Sequence, residues 1–403
     1  MADSDRARER RAGPASLADW LRKSGTLTPR WESAFALTNR AEFVPRHAWA
    51  DDGARLPWPI ERGSTEWLRA VFSDTAIITQ FDEGRVTWPD IGHQATGFIP
   101  QPSAVLRILN ALDLQPWHTV LVTGTGTGYL AALLGACLGD QAVTAVETGN
   151  AIHHNRSTLR ETGHDRIEAV AADGAAGLPR RAPYSRIVSA AEVVAGRIPT
   201  AWLRQSVSGG TILTPWTTGF HGSGVLKLVV HDGTAHGRIV DDVTRIPLRP
   251  RPLPPGHAER MRRLVEDDAS ATESATWADP REIGEDPNAA MAIGLHLPGV
   301  QREILVQDAH RWKVLLYDLA TESAAICHVT PESTHRGLYK VRRYGPEPLW
   351  EHAVTAWRWW QNAGRPDRGR FGVTMTHTGQ WCWLDKPDNP LPVLVEPEIG
   401  GTR

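Results

Sequence analysis

A chain of 403 residues, 41% hydrophobic and 22% charged, can bury a sizeable core and suits two domains. Its formal net charge of −2 supplies no basic field, which argues against a nucleic-acid partner, and its three scattered cysteines (Cys137, Cys327, Cys382) suggest neither a disulfide framework nor a zinc site. No apolar run approaches the roughly 18–20 residues of a membrane helix, and the charged opening Met1 to Arg11 lacks the apolar segment of a signal peptide, so a cytoplasmic protein off the membrane is expected.

Residues 1–14 read as a disordered tail. Ser16 can cap a helix over Leu17 to Leu21, ended by Gly25, and a second helix is expected from about Pro29 to Leu37. The Pro-, Gly- and Trp-rich stretch from Pro45 to Glu66 reads as an irregular cover. Ala76 to Gln80 is a strand candidate, and Ser103 can cap a helix from Ala104 to Leu112, with Val105, Ile108, Leu109 and Leu112 at helical spacing.

The decisive stretch follows. An apolar run, Val120-Leu121-Val122-Thr123, stops at Gly124, Gly126 and Gly128, and the helical run Tyr129 to Leu134 begins at once. A strand, a tight glycine loop and a helix open a nucleotide-type binding fold. The spacing is GxGxG, the pattern for S-adenosylmethionine (SAM), rather than the GxGxxG of dinucleotide sites, and no Gly-Lys-Ser/Thr follows for a P-loop. For the loop alone, a glycine-rich turn in an unrelated α/β domain is the alternative. A second strand, Ala142 to Glu147, ends in an acid suited to both ribose hydroxyls; a solvated strand-end charge is the bland reading. A third, Ile167 to Ala172, ends in Asp173-Gly174, where Asp173 can accept from an adenine amino group or simply form a turn. Alternation of strands and helices through residues 119–215 argues a parallel, doubly wound sheet, with Thr211–Thr214 and Gly224–Val230 as late strands, a candidate terminal hairpin.

Arg249-Pro250-Arg251-Pro252-Leu253-Pro254-Pro255-Gly256 reads as a stiff linker. Beyond about Ala289 come short strand candidates at Trp312–Asp318, Ala324–Val329, Phe371–Met375 and Gln380–Leu384, and one helix, about Pro348 to Ala363. The division expected is a tail at 1–14, a SAM-binding domain at 15–250, a linker at 251–288 and a smaller α+β domain at 289–403. Most of the 17 tryptophans belong by default in a core, but Trp357, Trp359 and Trp360 cannot all face inward on one helix, which invites a contact with a partner or the other domain.

Val120 to Leu134 with Asp173-Gly174 resembles the protein-L-isoaspartate O-methyltransferases, whose motif reads VLEIGTGSGY followed by GDG. The resemblance extends to Leu17–Pro45, with its R-x-x-FVP element, to Phe72-Ser73-Asp74-Thr75-Ala76, and to Ile198-Pro199 and Gly209-Gly210. It spans roughly residues 15 to 250. Arg343-Tyr344-Gly345-Pro346, Arg358-Trp359-Trp360 and Arg370 to Asp385 look like the extended actinobacterial version, which accompanies ATP-grasp ligases in making graspetides, a class of ribosomally synthesised modified peptide (RiPP). The resemblance implies a SAM-dependent Rossmann-like methyltransferase fold. SAM would be held by Gly124, Thr125, Gly126, Thr127, Gly128, Tyr129, Glu147, Asp173 and Gly174, with no metal. The acceptor would be an Asp or isoAsp carboxylate of a precursor peptide, leading to an aspartimide (succinimide) or isoaspartate, with an ATP-grasp ligase as a further partner.

A carboxylate is already ionised near pH 7, so a general base is not required; rate comes from desolvation and in-line alignment. The family holds the acceptor with a hydroxyl loop that falls here on Thr96-Gly97-Phe98-Ile99-Pro100-Gln101-Pro102; its serine falls on Pro100, which leaves Thr96 and Gln101 as candidates, each also explained by ordinary loop polarity. The acid of the family's glycine motif falls on Val122, Thr148-Gly149 replaces a second acid after Glu147, and Tyr184-Ser185 stands for Tyr-Asp. Those departures keep two rivals in view: a degenerate methyltransferase fold that binds peptide as a scaffold, and a repair enzyme for isoaspartyl damage.

Overall fold

The computed structural model describes residues 13–149, 151–241, 257–266 and 271–395. Residues 1–12 of the expected tail and the proline-rich stretch at 249–256 lie outside the described residues, and Pro14 already opens the first helix. Helices α1 (Pro14–Lys23), α2 (Pro29–Leu37) and α3 (Arg40–Phe43) open the chain. Strands β1 (His47–Asp51) and β2 (Trp58–Glu61), helix α4 (Thr65–Val71), and strands β3 (Ala76–Phe81) and β4 (Ala95–Ile99) follow. The four strands form an antiparallel sheet in the order β2-β1-β3-β4. The stretch read as irregular cover is therefore partly strand: Ala48, Ala50 and Ile60 point apolar side chains into the core between its turn residues.

Helix α5 (Pro102–Ala111) leads into the central sheet. Its units are β5 (Val120–Thr123), α6 (Tyr129–Leu138), β6 (Val143–Glu147), α7 (Ala151–Glu161), β7 (Glu168–Ala171), β8 (Tyr184–Ser189), β9 (Val193–Val194), α8 (Thr200–Arg204), β10 (Ser206–Thr217), β11 (Ser223–His231) and β12 (Thr234–Asp241). Strands β10, β8, β5, β6 and β7 lie parallel, as the alternating pattern requires, and β10–β11 is the antiparallel pair expected late in the domain. Successive side chains on β5 point to opposite faces. Val120 and Val122 join a core with Leu17, Trp31 and Leu133, whereas Leu121 joins a core on the other face with Ile187, Ile212 and Trp216.

The C-terminal region comprises α9 (His257–Glu266), β13 (Thr272–Thr276), α10 (Pro287–His296), β14 (Gln301–Val306), β15 (Trp312–Asp318), β16 (Ser323–Val329), α11 (Pro331–Arg336), β17 (Tyr339–Tyr344), α12 (Leu349–Asn362), β18 (Phe371–Met375) and β19 (Gln380–Leu384). Strands β13-β17-β16-β15-β14 make a five-stranded antiparallel sheet.

Two boundaries need correction. Residues 289–403 are not a separate unit: β18 pairs with β12 and β19 with β18, so the chain's last strands lengthen the central sheet. One core runs through Ile212, Leu226, Met291, Val314, Val341, Trp350 and Phe371. At the joint, a side chain on Gly222 would come within 2.3 Å of the Met291 backbone nitrogen, so only glycine lets the β10–β11 turn lie against α10. The span 251–288 is not wholly a linker either, because Glu273 and Ala275 pair with Arg342 and Lys340 across β13–β17.

The tryptophans of α12 meet this same core. Trp360 is buried and donates to the Pro366 carbonyl at 2.9 Å, and half-buried Trp359 meets His296 edge-on at 4.5 Å.

Candidate functional site

The parallel register sets Thr123 beside Val146 and Ser189, and Glu147 beside Ala171, so the ends of β5, β6, β7 and β8 share one edge. Ligands of open α/β sheets bind beyond the carboxyl ends of the strands. At that edge Gly124, Gly126 and Gly128 take φ of +70°, +53° and +96°, which L side chains resist. Helix α6 then starts without a side-chain cap, which leaves its first amides and positive end to the loop.

The loop is held from behind. Buried Asn155 of α7 donates from Nδ2 to Thr125 Oγ1 at 2.7 Å and to the Gly126 carbonyl at 3.1 Å. Glu147, 3% exposed at the end of β6, accepts from the Gly126 amide at 2.7 Å through Oε2 and from the Thr148 amide at 2.8 Å through Oε1. The Thr148 hydroxyl also lies 3.4 Å from Oε1, so both carboxylate oxygens are engaged at the loop. Asp173 is exposed just beyond β7, and its Oδ1 accepts from the Ala175 amide at 2.9 Å, so the turn-forming role is real and the carboxylate still faces out. A side chain on Gly174 would lie 3.2 Å from Thr123 Cβ, and the Gly174 carbonyl accepts from Trp202 Nε1 at 2.8 Å. Thr125 and Thr127 are buried within the loop.

Two residues singled out from the sequence have other work. The Tyr129 ring is buried 5.4 Å from the Phe43 ring, and burial pushes its phenol up to about 12; its side chain belongs to the core, and only its backbone is left to the loop. Thr96 is 3% exposed, donates to Gln80 Oε1 at 2.9 Å and accepts from the Glu83 amide at 3.0 Å. Its hydroxyl therefore has a donor and an acceptor partner within the protein. Gln101 is half-buried at the N-cap of α5, where its carbonyl accepts from the Val105 amide.

The acceptor loop nevertheless reaches the glycine loop. The Phe98 carbonyl oxygen lies 3.6 Å from where a Cβ on Gly126 would sit. Arg40, the buried arginine of R-x-x-FVP, fixes this approach by donating to the carbonyls of Val71 at 3.1 Å, Thr75 at 2.7 Å and Pro100 at 3.0 Å. Burial lowers its guanidinium to about 10, so it stays charged at neutral pH. Asp74 accepts from the Ser103 amide at 2.8 Å and the Ser103 hydroxyl at 2.7 Å, so Ser103 is pinned by Asp74 rather than serving as the helix cap.

Glu192 carried no sequence signal, standing alone between Ala191 and Val193. Ala191 lies against the position of a Gly124 side chain at 3.1 Å, which puts Glu192 beside the glycine loop. Burial raises its carboxyl to about 6, offset in part by a hydrogen bond with Thr217. Val122 is fully buried between Ala145 and Val188, so the departure noted there is an apolar core position.

The family model for Protein-L-isoaspartate(D-aspartate) O-methyltransferase (PCMT) matches residues 69–251. A protein-L-isoaspartate O-methyltransferase of Anaeromyxobacter dehalogenans strain 2CP-1 is 31% identical over 199 residues, 49% of this chain and 78% of that one. The chain belongs to the protein-L-isoaspartate O-methyltransferase family. It is a SAM-dependent carboxyl O-methyltransferase by that membership. The enzyme of the same name from Aeropyrum pernix is 30% identical over 218 residues, covering 53% of this chain and 70% of its own. A solved structure titled protein-L-isoaspartate O-methyltransferase superposes with a TM-score of 0.51 at 17% identity, over 93% of this chain and 100% of that one, which shows the shared fold. The residues are compatible with the methyl donor: the positive-φ glycines leave backbone open to a close approach, and the Glu147 and Asp173 carboxylates lie at the same sheet edge. No helix among the described residues is long and apolar enough to cross a membrane.

Proposed function

We propose that this methyltransferase esterifies an Asp or isoAsp side-chain carboxylate of a ribosomally made, modified precursor peptide. The observation that carries the reading is the contact of the acceptor loop with the glycine loop at Phe98 and Gly126. Phe98 belongs to the segment that matches the family's acceptor-holding stretch, and its carbonyl lies 3.6 Å from where a Gly126 side chain would start. The acceptor oxygen attacks the methyl carbon as the carbon–sulfur bond breaks, and no proton moves, because the carboxylate is already ionised near pH 7. The chain's contribution is alignment and exclusion of water, worth roughly 7–11 kcal/mol in well-oriented systems. The ester carbonyl is then open to the neighbouring backbone nitrogen, which closes a succinimide and expels methanol. The long stretch beyond the matched span 69–251, which a repair enzyme acting on many unrelated chains does not need, favours a dedicated substrate.

Transfer of labelled methyl from SAM to a ligase-processed precursor, and not to generic isoAsp peptides, is the expected result. The relatives' name favours a second reading, repair of isoaspartyl residues in many proteins. Equal labelling of generic isoAsp peptides would establish repair instead. Absence of label, together with no calorimetric heat from millimolar SAM, would establish the scaffold reading that buried Val122 motivates.

A further inference from the structure

A cavity of about 480 Å³ opens between α11 and the outer face of the five-stranded sheet, lined by His328, Thr330, Ser333, Arg336, Lys340 and Arg342 among others. That volume lies within the roughly 300–1,000 Å³ of ligand pockets. Its wall is unusual. Lys313, outside the lining itself, stands directly opposite His328, and His328 directly opposite Lys340, so three basic residues cross β15, β16 and β17 in one row beside the cavity. Part of this charge is already offset. Glu273 of β13 pairs with Lys340 at 2.6 Å and Arg342 at 3.3 Å, and Glu332 of α11 lines the cavity. Lys313 and Arg336 have no ion-pair partner among the described residues. The amino end of α11 is already closed by Thr330, whose hydroxyl accepts from the Ser333 amide at 3.2 Å, so side chains and not that helix end make the site.

His328 points to what is missing. Its Nε2 is buried with no hydrogen-bond partner. Burial first, then Lys313, Arg342 and Lys340, hold its pKa below the ordinary value, against a smaller opposite pull from Glu273. An anion entering the cavity would pair Arg336, compete with Glu273 for Lys340 and Arg342, and favour proton uptake by His328. The opposite face of the same strands is sealed, since Val314, Cys327 and Val341 are in the main core, so the groove faces only outward.

We propose that this groove binds an acidic, Asp/Glu-rich segment of the polypeptide substrate, away from the carboxylate that is methylated. Adjacent strands step about 4.8 Å, so the cations are spread over more length than one small anion covers, as a run of carboxylates requires. The idea builds on the peptide substrate argued above, but its test is separate from methylation.

Anisotropy of a labelled Asp/Glu-rich peptide with the full chain, without SAM, reads the groove directly; an Asn/Gln twin is the control. The acidic peptide should bind about tenfold or more tightly than the twin, and weaken with salt. Lys313→Gln with Arg336→Gln should remove most of that preference while leaving SAM binding, read by calorimetry, unchanged. Arg336→Gln alone, on an exposed helical turn, shows the same direction without touching the sheet. Calorimetry in buffers of different ionisation enthalpy should show proton uptake near pH 7, from His328. Equal binding of acidic and neutral peptides overturns the proposal, as does binding without proton uptake. Equal competition by inorganic phosphate would make this a small-anion pocket, and tighter binding of a single-stranded oligonucleotide a nucleic-acid site; both outcomes overturn it. If charge-selective binding holds while no peptide is methylated, the groove stands and the methylation reading fails.

Discussion

The guanidinium of Arg40 donates to the carbonyl of Pro100 at 3.0 Å, and through that bond the opening helices set the position of the loop beside the donor cradle. The same side chain holds Val71 and Thr75, so one residue joins three segments. Arg40→Met should lower stability by about 3 kcal/mol or more, since buried carbonyls lose a charged donor. Arg40→Lys should rescue little, because a single ammonium lacks the fork that spans the three acceptors. Urea unfolding of both variants is the check.

Glu147 both accepts from the Gly126 amide and stands where ribose hydroxyls would be read. Glu147→Gln keeps an acceptor oxygen but loses the charge. SAM affinity should fall roughly ten- to hundredfold, the loss of a charged hydrogen bond of about 1.5–3 kcal/mol. Calorimetric titration measures it; an unchanged affinity removes Glu147 from the site.

Gly128 caps α6 at φ +96°, where an added Cβ would stand 3.2 Å from Leu159 Cγ and 3.3 Å from Asn155 Nδ2. Gly128→Ala combines backbone strain with a push on the side chain that clamps the loop. A loss of about 1–3 kcal/mol is expected, with a rise in the Kd for SAM. Thermal unfolding with and without SAM separates the two effects.

Glu192 gives a pH test. Its carboxyl sits at about 6 in the fold against an ordinary 4.5, so the folded state holds the proton more tightly. Stability from this group is full below about pH 4.5 and is lost as pH rises through about 6. Glu192→Gln should therefore match the parent at about pH 4.5 and exceed it at about pH 7.5 by on the order of 1–2 kcal/mol. Denaturant midpoints at the two pH values decide this.

A chain stopped after residue 256 would lose the partner of β12, whose Ala235–Arg238 pair with Gly372–Met375. It would also expose Trp216 and Phe220, both fully buried. Such a chain should aggregate or unfold rather than behave as a free methyltransferase domain, an outcome read by soluble yield and near-UV circular dichroism.

The sequence by itself determined the glycine cradle, the acids that end β6 and β7, and the parallel sheet around them. Those features are local: a strand's period, the positive φ that glycine tolerates and an acid at a strand's end are written within a few residues. It also delimited β15, β16, β18 and β19 closely, but not where they go. That β18 joins β12 across more than a hundred residues depends on which sheet edge remains open, and no short stretch encodes that. Tertiary structure likewise decided the fate of Thr96, whose hydroxyl bonds with Gln80 and Glu83, and it brought Asn155, Glu192 and the Lys313–His328–Lys340 row into play. Their roles come from neighbours distant in the chain, and only packing creates those neighbours.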